Sequence, residues 1–254
     1  MILNRMLQNI KTQNWFAVAV EFVIVVFGVF VGLEVQEWNN QRQFANQEVV
    51  LLKEMQKEIE TNNMLVTQRV KSMNQVFESG KRAIAFLEKD EPCEERCWPL
   101  LVDFFTASQA FFTPSYSSVY EEMKPIGLPQ STELKKTIDR YYVLSATMES
   151  ALDSNPKYRQ IFREILTVNG HQALWANCHR IKDFFEEIIS DCPQELADEE
   201  IVSILNKLRN TQEIIGYLNY WIGMHTLWRP IYHGQLEHGE SAIEAINAEL
   251  QVSE

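Results

Sequence analysis

The stretch WFAVAVEFVIVVFGVFVGL, residues 15–33, decides the organisation of this chain. It is 19 residues long, and Glu21 is its only charged side chain. An α-helix rises about 1.5 Å per residue, so about 20 apolar residues cross the ~30 Å hydrocarbon core of a bilayer. Trp15 and Trp38 bracket the stretch, as aromatic residues do at the two membrane interfaces. We therefore predict a transmembrane anchor helix over residues 15–37.

A cleaved signal peptide and a buried core helix are the alternatives for this stretch. A signal peptide ends in a small-residue cleavage site of the A-x-A type. Here the apolar run ends in GLEVQE, residues 32–37, which has no such site. We expect the segment to remain as an uncleaved anchor.

The residues that follow predict an all-α fold. Residues 34–79 are 46 residues without Gly or Pro, and the chain of 254 residues has only 9 Gly and 8 Pro. Most all-β architectures need more turn signals than that. We expect the anchor to continue into a long helix, followed by an exported helical-bundle domain. One stripe of apolar residues recurs along that helix at three, four or seven positions: Leu52, Met55, Ile59, Val66, Met73 and Val76.

This stripe has two interpretations, a coiled-coil stalk or a helix packed on its own domain. Four consecutive apolar residues, 49–52, widen the stripe beyond a strict coiled-coil seam. We therefore favour packing on the domain for the distal half.

Helix signals continue to the C-terminus. Ser118 and Glu121 fit a capping box at the start of one helix. Further helices are predicted from about 131, over 156–168, 171–190 and 198–228, and from about 240 to 252. Pro230 is expected to end or kink the helix before it.

The basic residues at the two flanks of the span nearly tie: Arg5 and Lys11 before it, Arg42 and Lys53 after it. The first 14 residues carry no acid, and the α-amino group adds a positive charge. The positive-inside rule then favours a cytoplasmic N-terminal tail, residues 1–14, and a periplasmic domain, residues 38–254. The expected location is the bacterial inner membrane.

Four cysteines lie on the predicted exported side, where disulfides persist. They allow three pairings, and four free thiols remain an alternative. We favour the local pairs, Cys93 with Cys97 and Cys178 with Cys192. In this interpretation the second pair brackets one helix and its exit turn.

Composition and motifs argue against several classes of function. The net charge of −12 argues against a nucleic-acid binder, whose affinity needs clustered Lys and Arg. The P-loop, dinucleotide, nucleophile-elbow and H-E-x-x-H signatures are absent. Residues 183–200 carry eight acids and no Lys or Arg, a pattern typical of a solvated face. His233, Glu237 and His238, or Cys178 beside His179, are weak metal candidates. We expect a non-enzymatic protein without a cofactor or metal.

The sharpest feature lies within the span. Glu21, Gly28 and Gly32 are seven and four residues apart, so they share one helix face. A small-xxx-small pair lets helices approach closely, and a carboxyl group in hydrocarbon is costly unless it is paired. The face predicts association with a second copy or with a partner membrane protein. The alternative is that Glu21 reaches the headgroups and the glycines are incidental.

The segment NWFAVAVEFVIVVFGVFVGLEVQEWN, residues 14–39, resembles the start of a bacterial family of uncharacterised single-pass membrane proteins. YEEMKPIG followed by ELKKTIDRYY is similar to that family's short helix, glycine turn and helix. The resemblance implies a membrane anchor with an exported helical domain and supplies no activity. The cysteines are not part of it.

Three functions follow as hypotheses. The first is a non-enzymatic assembly or interaction module, held in the bilayer by its transmembrane helix. The second is a membrane-anchored sensor or receptor, whose aromatic-rich domain binds a small ligand. The third is an ion- or proton-conducting oligomer built around Glu21, for which a single acid is thin support.

Overall fold

The computed structural model describes residues 15–89, 91–111, 115–151, 156–182 and 185–252. The chain divides into two compact units, Met1–Leu51 and Leu52–Glu254. The predicted boundary after residue 37 marks the expected exit from the membrane and differs from this division. The predicted tail, residues 1–14, lies outside the described residues.

The described residues form eight α-helices and one two-stranded hairpin, so the predicted all-α class is confirmed. The first helix, α1, covers Trp15–Glu88, and the division between the two units falls within it. The remaining elements are α2 Cys97–Ala107, α3 Ser118–Met123, α4 Thr132–Ala151, α5 Lys157–Ile165, α6 Val168–Asn177, β1 His179–Lys182, β2 Phe185–Ile188, α7 Asp198–Asn210 and α8 Ile214–Val252. Short 3₁₀ turns precede α2 and follow α3.

The distal half of α1 packs inside the second unit, as the sequence predicts. All six residues of the predicted stripe are buried. At Gly80 an added Cβ would lie 2.1 Å from Ile222 Cδ1 of α8, and at Gly239 of α8 it would lie 2.3 Å from Asn63 Oδ1 of α1. These two glycines let α1 and α8 pack closely, since a side chain at either position would displace its neighbour.

The core is centred on α2, which is buried along almost its whole length. Aromatic side chains from α2, α5 and α8 fill its middle, and the polar tips of Tyr158 and Trp221 bond to backbone. Tyr158 Oη donates to Phe104 O at 2.9 Å, and Trp221 Nε1 donates to Ala107 O at 2.9 Å. Asp103 is a buried acid on the same helix, and Arg82 binds it through two nitrogens at 2.6 and 2.8 Å. This bidentate pairing offsets the cost of burying the carboxylate.

The predicted helix over residues 171–190 is wrong in its second half. The helix ends at Asn177, and β1 and β2 form an antiparallel hairpin in which His179 pairs with Ile188 and Lys182 with Phe185. Cys178 and Cys192 therefore bracket a hairpin and not a helix. The hairpin is fixed to the core by Trp98, whose Nε1 donates to Cys192 O at 2.9 Å.

Two local predictions remain, at Pro230 and at Ser118. α8 continues through Pro230 to Val252, so of the two expected outcomes, an end or a kink, the helix end is excluded. Buried residues on both sides of it, Trp228 and Tyr232, hold the two parts in the core, and their burial outweighs the lost backbone hydrogen bond. The capping box of Ser118 is absent as well, because its hydroxyl donates to Glu58 of α1 instead.

Candidate functional site

The predicted association face lies on an exposed apolar part of α1. Glu21, Gly28 and Gly32 lie within about 40° of one another around the helix axis, at 100° per residue. All three are exposed, and so are the large apolar side chains around them, such as Phe22 and Phe27 at 68% and 69%. A Cβ added at either glycine would meet no atom within 4 Å among the described residues. The face therefore has room for the backbone of a second helix.

Trp38 and Trp15 were predicted as an interfacial belt. Trp38 is 63% exposed, and the Arg42 guanidinium lies 5.8 Å from the centre of its ring. Trp15 is the first residue of α1, and its side chain lies outside the described part. By length and composition, α1 is the one described helix able to cross a membrane, which makes it a candidate anchor or signal sequence.

The four cysteines form two disulfides, with the local pairing favoured from the sequence. Cys93 binds Cys97 and Cys178 binds Cys192, with Cα atoms 4.9 and 5.1 Å apart. The second bond is buried in the core. Sulfurs in disulfides are not thiolate ligands, so the weak zinc candidate at Cys178 falls away. Within the described ranges, no group of three or more His, Cys, Asp or Glu is placed to hold a metal ion.

A buried carboxylate organises the part of the domain around α3. Glu58 of α1 accepts hydrogen bonds from Ser118 Oγ at 2.7 Å, Val119 N at 3.1 Å and Tyr142 Oη at 2.6 Å. Val119 N is one of the free donors in the first turn of α3, so Glu58 caps that helix from outside. Burial is the main cause that raises the pKa of Tyr142, and the bond to Glu58 adds to it. The arrangement is a structural joint between α1, α3 and α4.

Two arginines of α5 lie against the end of α2. Arg159 donates to Ala110 O and Arg163 to Gln109 Oε1, both at 3.4 Å. The Arg163 guanidinium also lies 4.8 Å from the ring centre of Trp175. Burial and the charge of Arg159 lower the pKa of Arg163 to about 10. These cations remain charged at neutral pH, and backbone, amide and ring atoms stabilise them.

A third polar centre lies between α1 and α8. Arg69, His225 and Tyr232 are all buried, and the guanidinium of Arg69 interacts with the hydroxyl of Tyr232. Both ring nitrogens of His225 and the Nε and Nη1 of Arg69 have no hydrogen-bond partner among the described residues. His225 and Tyr232 line a cavity of about 60 Å³. Unpaired buried polar groups are costly, and such groups beside a cavity mark a candidate binding site.

The helix α8 also lines a larger cleft of about 900 Å³. Its lining is rich in aromatic and sulfur side chains from α8: Tyr217, Tyr220, Trp221, Met224 and Trp228. Pro156 and Lys157, at the start of α5, also line it.

Sequence reasoning missed Arg69, His225 and Glu58. A signal for Arg69 was present, because it lies three residues after Val66 and four before Met73, on the predicted apolar stripe. A charged residue at a core-facing position needs a partner or a function. His225 and Tyr232 lie seven residues apart on α8, the same separation as Val66 and Met73 on α1. Nothing local in the sequence connects them to Arg69.

Compared with protein-family models, curated proteins and solved structures, the chain matches none of them. The family resemblance of residues 14–39 therefore stays a prediction.

Proposed function

We propose that this protein is a single-pass inner-membrane protein without catalytic activity, which assembles with copies of itself or with a partner membrane protein through its transmembrane helix. The observation that carries the proposal is the exposed apolar face of α1 on which Glu21, Gly28 and Gly32 coincide. Contact between helix backbones at two glycines is driven by packing in a bilayer, where apolar burial alone gives no net gain. A second helix also offers Glu21 a polar partner that lipid does not.

In this proposal the N-terminus is cytoplasmic and the acidic helical domain is periplasmic. Residues 1–33 carry Arg5, Lys11 and Glu21 for a net charge of +1, which leaves −12 − 1 = −13 on the rest. Glu34 and Glu37 lie within the predicted span, so the domain itself, residues 38–254, carries −13 + 2 = −11 and is repelled by an anionic membrane surface. Its contacts are therefore expected with proteins, not with lipid headgroups.

The test compares two small-to-large substitutions on opposite faces of the span. Gly28→Leu fills the proposed contact. Ala19→Leu adds a larger side chain of the same kind about 180° away, nine residues earlier at 100° per residue. The protein is extracted from its native membrane in a mild detergent, and the mass of the complex is measured together with any co-purifying chain.

We expect the wild-type protein and Ala19→Leu to give the same complex, a multiple of 29.7 kDa or a complex with a second polypeptide. Gly28→Leu is expected to release most of the monomer, and Glu21→Ala to weaken the complex. A monomeric wild-type protein, or an unchanged complex in Gly28→Leu, would contradict the proposal.

The second candidate function is a membrane-anchored receptor for a small ligand. The cavity lined by His225 and Tyr232 favours it, since binding sites combine an enclosed space with a few convergent polar groups. The two candidates are compatible, because one concerns the span and the other the second unit.

A further inference from the structure

Arg69 is a buried cation on the core-facing side of α1. Its side chain is only 5% exposed, and its Nε and Nη1 have no hydrogen-bond partner among the described residues. Burial lowers its pKa, but a guanidinium remains charged at any physiological pH. The Phe111 ring lies 5.6 Å from the guanidinium carbon and stabilises the charge in part. The domain therefore buries a positive charge whose donors are not satisfied.

The carboxylate that acts on Arg69 is not bound to it. Glu186 of β2 interacts with the guanidinium electrostatically, yet it is exposed, and its Oε2 lies 3.8 Å from His179 Nε2. Long-range attraction from an exposed acid does not replace the hydrogen bonds that a buried guanidinium needs. Arg69 thus lacks the internal carboxylate partner that Arg82 has in Asp103.

Two neutral donors from α8 accompany Arg69. Both ring nitrogens of His225 are buried without a partner among the described residues, and the buried hydroxyl of Tyr232 interacts with the guanidinium of Arg69. Burial, with the nearby charge of Arg69, lowers the pKa of His225 to about 4. The imidazole is therefore neutral at pH 7, with one N–H to donate. A guanidinium, an imidazole N–H and a phenol O–H lie together without an anion.

The cavity is lined by two of these groups, and Arg69 is not among its lining residues. His225 and Tyr232 form part of its lining, with Asn74, Thr226 and Arg229 as the other polar residues. No described residue that lines it is acidic, although the chain has 35 acids against 23 Lys and Arg. Its volume of about 60 Å³ exceeds the ~10–15 Å³ that one water needs on the same kind of measure. The space fits a small ion of a few heavy atoms.

We propose that the cavity between α1 and α8 binds a small oxyanion, a carboxylate or a phosphate group, through His225 and Tyr232, with the buried charge of Arg69 behind them. Arg229 lines the cavity and can donate charge-assisted hydrogen bonds to either group, and Arg69, which interacts with both Tyr232 and His225, adds electrostatic attraction. The site does not depend on helix association, and it gives the receptor candidate its class of ligand.

The test uses the full chain in a mild detergent at pH 7 and constant ionic strength. Sodium phosphate or sodium acetate replaces sodium chloride in steps, and the thermal midpoint and the binding heat are measured. We expect a saturable rise of about 5–10 °C at a hundredfold excess over Kd, from the linkage of binding to stability in a domain of this size. A rise with phosphate alone identifies a tetrahedral ligand, and a rise with acetate alone a carboxylate.

Two variants and one control separate the site from a general salt effect. Arg69→Met is expected to abolish the saturable rise, while Arg140→Met removes an exposed arginine and keeps it. Tyr232→Phe removes a single hydroxyl and is expected to weaken binding about 5–10-fold; it serves as the test if Arg69→Met does not fold. The proposal is overturned if neither anion gives a saturable rise, or if the rise is the same in the wild type and in Tyr232→Phe. Neither result depends on the oligomer mass that tests helix association.

Discussion

Single buried residues hold the second unit together, and Glu58 is the clearest case. Its carboxylate accepts three hydrogen bonds from α3 and α4, and an ionised carboxylate has only acceptors to offer. In Glu58→Gln an amide NH₂ group replaces one carboxylate oxygen, so it would face a donor whose hydrogen bond that oxygen now accepts. We expect a loss of about 2–3 kcal/mol in the free energy of unfolding. Denaturant titration of the purified protein measures it.

The matched control for this change is Glu60→Gln. Glu60 is exposed two residues further along α1 and accepts one bond, from Gln56 at 2.9 Å. Its substitution is expected to change the free energy of unfolding by less than about 0.5 kcal/mol. Equal effects of the two substitutions would show that the three bonds to Glu58 contribute no specific stability.

His225 makes stability depend on pH. Its folded pKa is about 4, lowered by burial and by Arg69 on α1, whereas an unfolded histidine titrates near 6.5. The unfolded state therefore binds more protons between these values, so stability is complete above about pH 6.5 and falls as the pH falls toward 4. The free energy of unfolding is expected to fall by about 3 kcal/mol, at about 1.4 kcal/mol per unit of difference between the folded and unfolded pKa. Tyr232 on the same helix stays neutral throughout, since burial raises its pKa.

Comparison of the wild type with His225→Phe isolates this contribution, because all other titrating groups are shared. We expect unfolding free energies, measured in steps from pH 7 to pH 4.5, to fall less steeply in the variant. His233→Asn, which changes an exposed histidine of the same helix, should follow the wild type. A parallel slope in His225→Phe would mean that the imidazole is not held neutral by burial.

At the scale of elements, α1 was predictable and the segment after α6 was not. The stripe from Leu52 to Val76 has a helical period over many turns, so its direction toward the core follows from sequence alone. Residues 179–188 lack that support, and their apolar residues fit a helix or a strand. The favoured pairing of Cys178 with Cys192 could have excluded that helix from the sequence. A helix from Cys178 to Cys192 would be about 21 Å long, whereas disulfide-bonded Cα atoms lie about 4.4–6.8 Å apart. The helix and the favoured pairing exclude each other.

The two disulfides should differ in their contribution to stability. The disulfide of Cys178 and Cys192 closes a segment with a sequence separation of 14 residues, and that of Cys93 and Cys97 one of 4 residues. In the chain-entropy model the longer loop contributes about 3 kcal/mol and the shorter about 2 kcal/mol. Double serine variants of each pair, compared by denaturant unfolding, test this order. The change at Cys178 and Cys192 is expected to cost still more, because both are buried in the core and Trp98 bonds to one of them.

The reverse order, with the larger loss at Cys93 and Cys97, would contradict this account. The variant lacking the buried bond should also expose the hairpin first. Hydrogen exchange of the amides in β1 and β2 reports that change, while the amides of α7 serve as an internal reference.

At the scale of the whole molecule, local sequence patterns predict the apolar N-terminal helix and the helical domain, but not the contacts between residues that are far apart in the sequence. The apolar span, the helical class and the exposed face of Glu21 all depend on residues within a few turns of one another. Arg69 and His225 are 225 − 69 = 156 residues apart, and only the packing of α8 on α1 brings them together. A charge on an apolar stripe indicates that something must balance it, and the fold is needed to say what lies beside it.

The proposed periplasmic location of the second unit predicts the oxidation state of its cysteines in cells. Disulfides form in the periplasm and are reduced in the cytosol, so an exported domain should contain no free thiol. Cells are acid-quenched and unfolded, and free thiols are labelled with a reagent of known mass. We expect no label without reductant and four labels after reduction, with two after reduction in the double serine variant of Cys93 and Cys97. Four labels in untreated cells would place the domain in the cytosol and reverse the proposed orientation of the span.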